Sequence, residues 1–307
     1  MNLWRRWASQ PQRVWLRQAI FQVHLWFGLI LGLYIVMLSV TGSTLVYKTE
    51  IDRWLGAPHP AFDADRQALS KEEMTAAITR AFPEWTILRQ SEGISRRFPV
   101  IQASLERDDI RQSRVFDPYT GAHLGEAITR GQLQFLKVTR LHDDLMFDQP
   151  GRWWNGVGSA FVTMLVITGA VVWWPGVTRW RRSLGVKVRS GWRRWTWDLH
   201  SAMGFWTFLF MLMWGVSGFY MGVPDPFNSL VDAISDPNAE FGQRPGDLVL
   251  TWLARLHFGR WPNAWLKALW ALLGLIPAIM LVTGVAMWWN RTLRPRLKNV
   301  AAFDPAA

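Results

Sequence analysis

Four apolar stretches set the plan of this chain. Residues 19–47, 153–175, 198–223 and 263–289 are each long enough to cross a bilayer as a helix, which takes about 20 apolar residues. The first is too long for the core of a cleaved leader and carries a histidine and several glycines, so it reads as a span. Between the first and second stretches the pattern changes. Leu69-Ser70-Lys71-Glu72-Glu73 opens a soluble helix, with Ser70 as N-cap and Glu73 at the capping-box position. Met74, Ala77, Ile78 and Ala81 continue its apolar stripe, and Pro83 stops it. Strand-like runs follow at Trp85–Gln90, Phe98–Leu105 and Ser113–Phe116. Asp117-Pro118-Tyr119-Thr120-Gly121 is a turn, and Ala127–Phe147 reads as a helix leading back to the membrane. The expected fold is therefore a membrane all-α bundle of four transmembrane helices, with a small α+β domain, about residues 66–128, inserted between helices 1 and 2.

Charge orients this plan. Residues 1–18 carry four Arg and no acid, and 176–197 carry seven Lys/Arg and no acid; 290–307 carry four Lys/Arg against one Asp. The other two connections are balanced or acidic: 48–152 holds 15 basic and 16 acidic residues, and 224–262 holds three basic and five acidic. By the positive-inside rule the termini and the central loop are cytoplasmic, and residues 48–152 and 224–262 are external. The net charge of +11 is thus a topology signal with attraction to anionic lipid, and nucleic acid is not expected as a partner. With no Cys in the chain, disulfides, thiolate metal sites and covalent haem attachment are excluded.

The histidines repeat along the chain. His24 is followed by Gly28 and Gly42, and His200 by Gly204 and Gly218 at the same offsets. Arg140-Leu141-His142 precedes Thr168-Gly169 and Trp173-Trp174, and Arg255-Leu256-His257 precedes Thr283-Gly284 and Trp288-Trp289, again at equal offsets. This predicts an internal duplication in which helix 1 matches helix 3 and helix 2 matches helix 4, with sites at the repeat interface. Arg17 lies seven residues before His24, and Arg193 seven before His200. Both histidines therefore sit in the cytoplasmic leaflet, while His142 and His257 precede their helices on the external side. Topology pairs His24 with His200 and His142 with His257.

Two imidazoles are too few for a protein-built zinc site, but they suffice as axial ligands of haem b, whose porphyrin supplies the other four nitrogens. Two haem b groups are expected, an inner one on His24/His200 and an outer one on His142/His257. Gly28 and Gly204 lie one helical turn from their histidines; Gly42 and Gly218 lie five turns on, about 27 Å along a straight helix. All four are candidate haem-packing positions, or small-residue positions for close helix packing. Arg17 and Arg193 inside, and Arg140 and Arg255 outside, are candidate propionate contacts, or interfacial anchors whose charged ends reach the membrane surface. Asp143, Asp144 and Asp198 are candidate hydrogen-bond partners of the histidines, or surface groups. Trp173-Trp174 and Trp288-Trp289 read as interfacial anchors. His59 and His123 read as surface residues of the insert.

The insert, through Val115-Phe116-Asp117-Pro118-Tyr119-Thr120-Gly121, resembles the PepSY domain. With His24-Leu25-Trp26-Phe27-Gly28, Leu141-His142-Asp143-Asp144-Leu145 and Thr168-Gly169 through Trp173-Trp174-Pro175, the whole chain resembles the PepSY-associated transmembrane helix family, iron-regulated proteins of the bacterial inner membrane. That resemblance implies a multi-pass inner-membrane protein. It also implies a di-haem oxidoreductase that passes electrons to an external ferric siderophore or other ferric chelate, with the outer haem and the PepSY-like domain as docking face. The sequence contains no nucleotide or flavin fingerprint after a strand, so the donor is expected to be a separate cytoplasmic protein or a membrane quinol. Two other readings stand beside this one: a quinol-linked cytochrome b subunit, and a non-redox PepSY sensor or protease regulator.

Overall fold

The computed structural model describes residues 3–58, 61, 63, 65–91, 99–236 and 244–296. In chain order the helices are α1 (Leu3–Ser9), α2 (Trp15–Ile30), α3 (Gly32–Leu45), α4 (Lys48–Leu55), α5 (Lys71–Ala81), α6 (Arg130–Asp144), α7 (Asp148–Trp173), α8 (Trp192–Gly222), α9 (Asp225–Ile234), α10 (Pro245–Phe258), α11 (Ala264–Gly274) and α12 (Ile276–Trp288). The strands, between α5 and α6, are β1 (Thr86–Gln90), β2 (Ile101–Arg107), β3 (Ile110–Phe116) and β4 (His123–Glu126). The chain divides into a helical unit, residues 1–47 and 139–307, and a smaller unit, residues 48–138.

In the helical unit, Asp148–Trp173, Trp192–Gly222 and Ala264–Arg296 are long and apolar enough to cross a membrane. The α2–α3 pair makes a fourth span if taken as one. The chain is a multi-pass membrane protein. Helix 1 departs from the straight span expected over 19–47: α2 and α3 bend by 63° at Leu31. Gly28 and Gly32 flank the bend, and glycine pairs are a common origin of kinks. Gly32 lies close under Leu281; a Cβ there would come within 3.0 Å of its Cδ1. α11 and α12 break at Leu275, where Pro277 in the first turn of α12 removes a donor and crowds the preceding turn. The segment expected as an external loop, 224–262, contains α9 and α10, which Pro226 and Pro245 open at helix-compatible first-turn positions.

The unit is built inside out relative to a soluble domain. Large apolar side chains such as Met164, Ile167, Leu209, Leu272 and Val282 are exposed on the spans, whereas Ser39, Thr41, Ser159, Thr207, Ser217 and Thr283 are buried. Lipid gives apolar side chains no reason to turn inward, so small and hydroxylated residues that allow close packing take the interior. Antiparallel α7 and α8 show this. Gly156 meets Gly222, Ser159 meets Gly218, and Thr163 meets Gly215.

In the smaller unit the four strands form an antiparallel meander, β1-β2-β3-β4. The sequence pattern predicts three strands and the sheet has a fourth, β4; β2 runs over Ile101–Arg107, with Phe98 outside the described residues. Asp108 and Asp109, both with positive φ, make the two-residue turn that suits a tight hairpin between β2 and β3. The capping box of α5 is present: Ser70 Oγ accepts from Glu73 N at 3.2 Å, and Glu73 Oε2 accepts from Ser70 N at 2.8 Å. Met74 and Ile78 of α5 pack on Ile101, Ala103, Leu105 and Phe116 of the sheet. The helix expected over 127–147 is α6, shorter at both ends. Leu145 and Met146 have positive φ and terminate it three residues before α7 begins.

Candidate functional site

All four candidate histidines lie in the helical unit: His24 on α2, His142 near the end of α6, His200 on α8 and His257 near the end of α10. The rings of His142 and His257 lie beside one another with centres 6.3 Å apart and planes inclined by 57°. The pairing of His142 with His257 expected from charge topology is therefore the spatial one.

Each ring is held through Nδ1 by another helix. His24 Nδ1 lies 3.1 Å from Leu165 O and 3.3 Å from Thr168 Oγ1, both on α7. His200 Nδ1 lies 3.0 Å from Met280 O and 2.9 Å from Thr283 Oγ1, both on α12. A carbonyl only accepts, so in these two rings Nδ1 carries the hydrogen and Nε2 keeps its lone pair. His142 Nδ1 lies 2.9 Å from Thr41 Oγ1 of α3, and His257 Nδ1 2.6 Å from Ser217 Oγ of α8. Burial pushes the His257 imidazole well below its ordinary pKa, and repulsion from His142 adds to this. Burial also lowers His142, against the opposing pull of Asp143 and a backbone carbonyl at Leu38. Both rings are thus neutral near pH 7, the form that binds a metal ion.

Backbone contacts fix the segments that carry the second pair. Asn155 Nδ2 donates to His142 O at 2.6 Å and to Asp143 O at 3.0 Å, and Tyr34 Oη donates to Asn155 Oδ1 at 2.7 Å. Trp270 Nε1 donates to Leu256 O, the residue before His257, at 2.9 Å. Gly259 ends α10 with φ of 56° and lies against the Trp270 ring, where no side chain could fit.

The glycines divide. A Cβ built on Gly42 would lie 2.8 Å from His142 Cε1, and one on Gly218 would lie 2.7 Å from Ser159 Oγ and 3.8 Å from His257 Cε1. These two touch the histidines of the opposite family, not the ones from which their offsets were counted. Gly169 and Gly284 do the same for His24 and His200, at 3.0 Å and 3.4 Å from Cε1. Gly28 and Gly204 face Leu165 Cδ1 at 3.8 Å and Met280 Cε at 3.2 Å.

The charged candidates are mostly engaged elsewhere. Arg140 pairs with Asp144 and Asp148, Arg152 with Asp143, and Arg194 with buried Asp198. Arg255 lies over Trp252, 5.3 Å from its ring centre, and Arg193 is exposed. The carboxylates expected beside the histidines therefore serve ion pairs, and hydroxyls take their place. Arg17 Nη2 donates to Val172 O at the end of α7. Its Nε is buried without a partner, as is Trp173 Nε1 on the next residue along α7. Trp261 Nε1, four residues after His257, is a third buried donor without an acceptor. His123 lies in the smaller unit against Phe82, and His59 falls outside the described residues.

The donor set bears on which metal could bind. Among the described residues no group of three or more His, Asp or Glu is placed to share an ion. Two imidazoles per pair fit a metal that brings its own equatorial ligands. The unpartnered donors of Arg17, Trp173 and Trp261 fit the carboxylates that a haem carries at its edge.

Comparison with curated proteins returns no match. A family model described as the PepSY-associated TM region matches residues 21–246 and 235–291, which include all four histidines. By that match the chain belongs to the PepSY-associated TM region family.

Proposed function

We propose that this protein is a di-haem b oxidoreductase of the bacterial inner membrane. It would carry electrons from the cytoplasmic side to a ferric siderophore or other ferric chelate outside. The observation that carries the reading is the 6.3 Å between the His142 and His257 ring centres. Metal–imidazole bonds are about 2 Å long, so two rings at this separation could share one metal ion. His24 and His200 would hold the second group, with their Nδ1 hydrogens on backbone carbonyls and Nε2 left to coordinate.

When bound, haem b supplies one-electron transfer at each site. The chain's own residues would orient the ligands, keep them neutral and cover the sites with apolar helix. Arg17 and Trp173 would take carboxylates at the inner site, and Trp261 at the outer. The repeated grip, His24 on Leu165/Thr168 and His200 on Met280/Thr283, supports a duplicated two-helix unit. The ferric acceptor and the external placement of the sheet unit rest on family resemblance and charge distribution. The electron donor would be a cytoplasmic protein or a membrane quinol.

Optical spectroscopy of the purified full-length protein tests this. A reducible low-spin haem b spectrum with about two haems per chain, one per histidine pair, is expected. A folded, colourless protein would overturn it. Re-oxidation of the reduced protein by ferric chelates but not by quinones supports the ferric acceptor; the opposite result makes the protein a quinol-linked cytochrome.

A further inference from the structure

We propose that Thr41, Thr168, Ser217 and Thr283 are positioning residues, each fixing one histidine in the Nδ1–H tautomer so that Nε2 is free to coordinate. The proposal rests on the two-site reading above and adds to it how the protein sets its ligands.

A hydroxyl has one hydrogen and two lone pairs. In all four residues the hydrogen is engaged within the residue's own helix. Thr41 donates to Met37 O at 2.6 Å, Thr168 to Met164 O at 2.8 Å, Ser217 to Met213 O at 2.6 Å and Thr283 to Ile279 O at 3.0 Å. The oxygen therefore meets the imidazole as an acceptor, and the ring nitrogen must bring the hydrogen. For His257 this hydroxyl sets the tautomer, and for His142 it does so with a lesser pull from the Leu38 carbonyl; for His24 and His200 it acts together with a carbonyl bonded to the same nitrogen.

The residue after each hydroxyl is glycine: Gly42, Gly169, Gly218 and Gly284. The ring's Cε1 rests over that glycine at 2.8, 3.0, 3.8 and 3.4 Å from where a Cβ would be. The hydroxyl and the glycine work as one device, since the missing side chain lets the ring come near enough to the helix for the hydroxyl to reach Nδ1. The device is exchanged between helices. α7 holds His24 of α2, and α3 holds His142. α12 holds His200 of α8, and α8 holds His257. Each histidine is thus placed by a helix other than its own.

Serine and threonine often bond back to their own helix in membranes, with no further role. That reading predicts no effect of the hydroxyl on the ring, so the two separate experimentally. Thr41→Val and Ser217→Ala remove the acceptor at the two rings whose Nδ1 has no hydrogen-bonded carbonyl beside it; Thr41→Ser and Ser217→Thr restore it. In full-length protein freed of haem, nitrogen-15 spectra of the histidines report the tautomer. Thr41→Val and Ser217→Ala are each expected to shift one histidine from Nδ1–H toward a mixture, and the two hydroxyl-bearing variants to keep it. In haem-loaded protein, loss of a partner of this kind weakens metal binding by about 10–100-fold. Loss of either hydroxyl is expected to weaken haem retention on that scale and move one midpoint potential only, and the hydroxyl-bearing variants to restore both. Folded Thr41→Val and Ser217→Ala variants with an unchanged tautomer would overturn the proposal. Should one of them fail to fold, the other and its hydroxyl-bearing counterpart still decide. A wild-type protein without haem would sink the function proposed above, while the tautomer measurement would still decide this inference.

Discussion

The imidazoles of His142 and His257 lie 6.3 Å apart between centres although each sits near the end of a different helix. Neither helix contains the residue that holds its ring: Thr41 comes from α3 and Ser217 from α8. A ligand shared by the two rings depends on both equally. His142→Ala and His257→Ala are therefore expected to remove the same haem, and His24→Ala and His200→Ala the other. Redox-difference spectra of the four variants check this. If His24→Ala and His142→Ala removed the same spectral component, the pairing would be wrong.

Gly42 and Gly28 look alike in the sequence and differ in space. A methyl at Gly42 would lie 2.8 Å from His142 Cε1, tighter than carbon atoms tolerate; a methyl at Gly28 would make ordinary contact with Leu165 at 3.8 Å. Gly42→Ala is expected to displace His142 and lose the haem of the second pair. Gly28→Ala is expected to keep both haems and to stabilise α2 by about 0.5–1 kcal/mol, the ordinary gain of alanine over glycine inside a helix. Haem content and thermal unfolding of the two variants give the comparison. Equal haem loss from both would show that the glycines serve a common cofactor surface.

What the sequence made legible depended on local signals. The capping box at Ser70 and Glu73 formed as expected, because its partners are three residues apart. The spans were readable because lipid demands a long apolar run. Charge placed His142 with His257, and the structure brings their rings together. The grips were missed. Offsets from His24 to Gly42 and from His200 to Gly218 are real, but counting along one helix says nothing about which helix lies opposite. The bend at Leu31 also breaks the straight-helix arithmetic for Gly42. A usable signal was present, since every one of the four glycines that meet a histidine follows Ser or Thr. β4 was missed because His123–Glu126 is too short to show alternation, and its pairing comes from β3.

Gly156 and Gly222 bring α7 and α8 together at backbone distance. A Cβ on Gly222 would come within 2.4 Å of Gly156 Cα, and backbone cannot rotate away as a side chain can. Gly222→Ala must separate the helices or bend one. A loss of about 1–3 kcal/mol is expected, the usual range for forcing extra atoms into packed surroundings. Gly185→Ala is the control, since nothing lies within 4 Å of its Cβ position. Unfolding of both variants in one detergent should separate them clearly. Equal stability would mean that the α7–α8 contact is looser than the close approach of these glycines implies.

Trp173 offers a test in which the sign of the effect depends on the cofactor. Its ring stacks on Phe205, with centres 4.6 Å apart, and its Nε1 is buried without an acceptor. Leaving a buried donor unpaired disfavours the folded state by about 1–3 kcal/mol. Trp173→Phe keeps an aromatic ring for the stack and removes the donor. Without haem the variant should therefore be as stable as wild type or more so. If Nε1 pairs with a haem carboxylate when the cofactor is present, the same change should weaken haem retention at the His24/His200 site alone, and with it the stability of the loaded protein. Thermal unfolding with and without haem, read beside the spectrum of each pair, measures both signs. A variant that loses stability equally in the two forms would assign Trp173 to packing only, and the carboxylate role would then fall to Arg17, whose Nε is buried and unpartnered at the same end of α7.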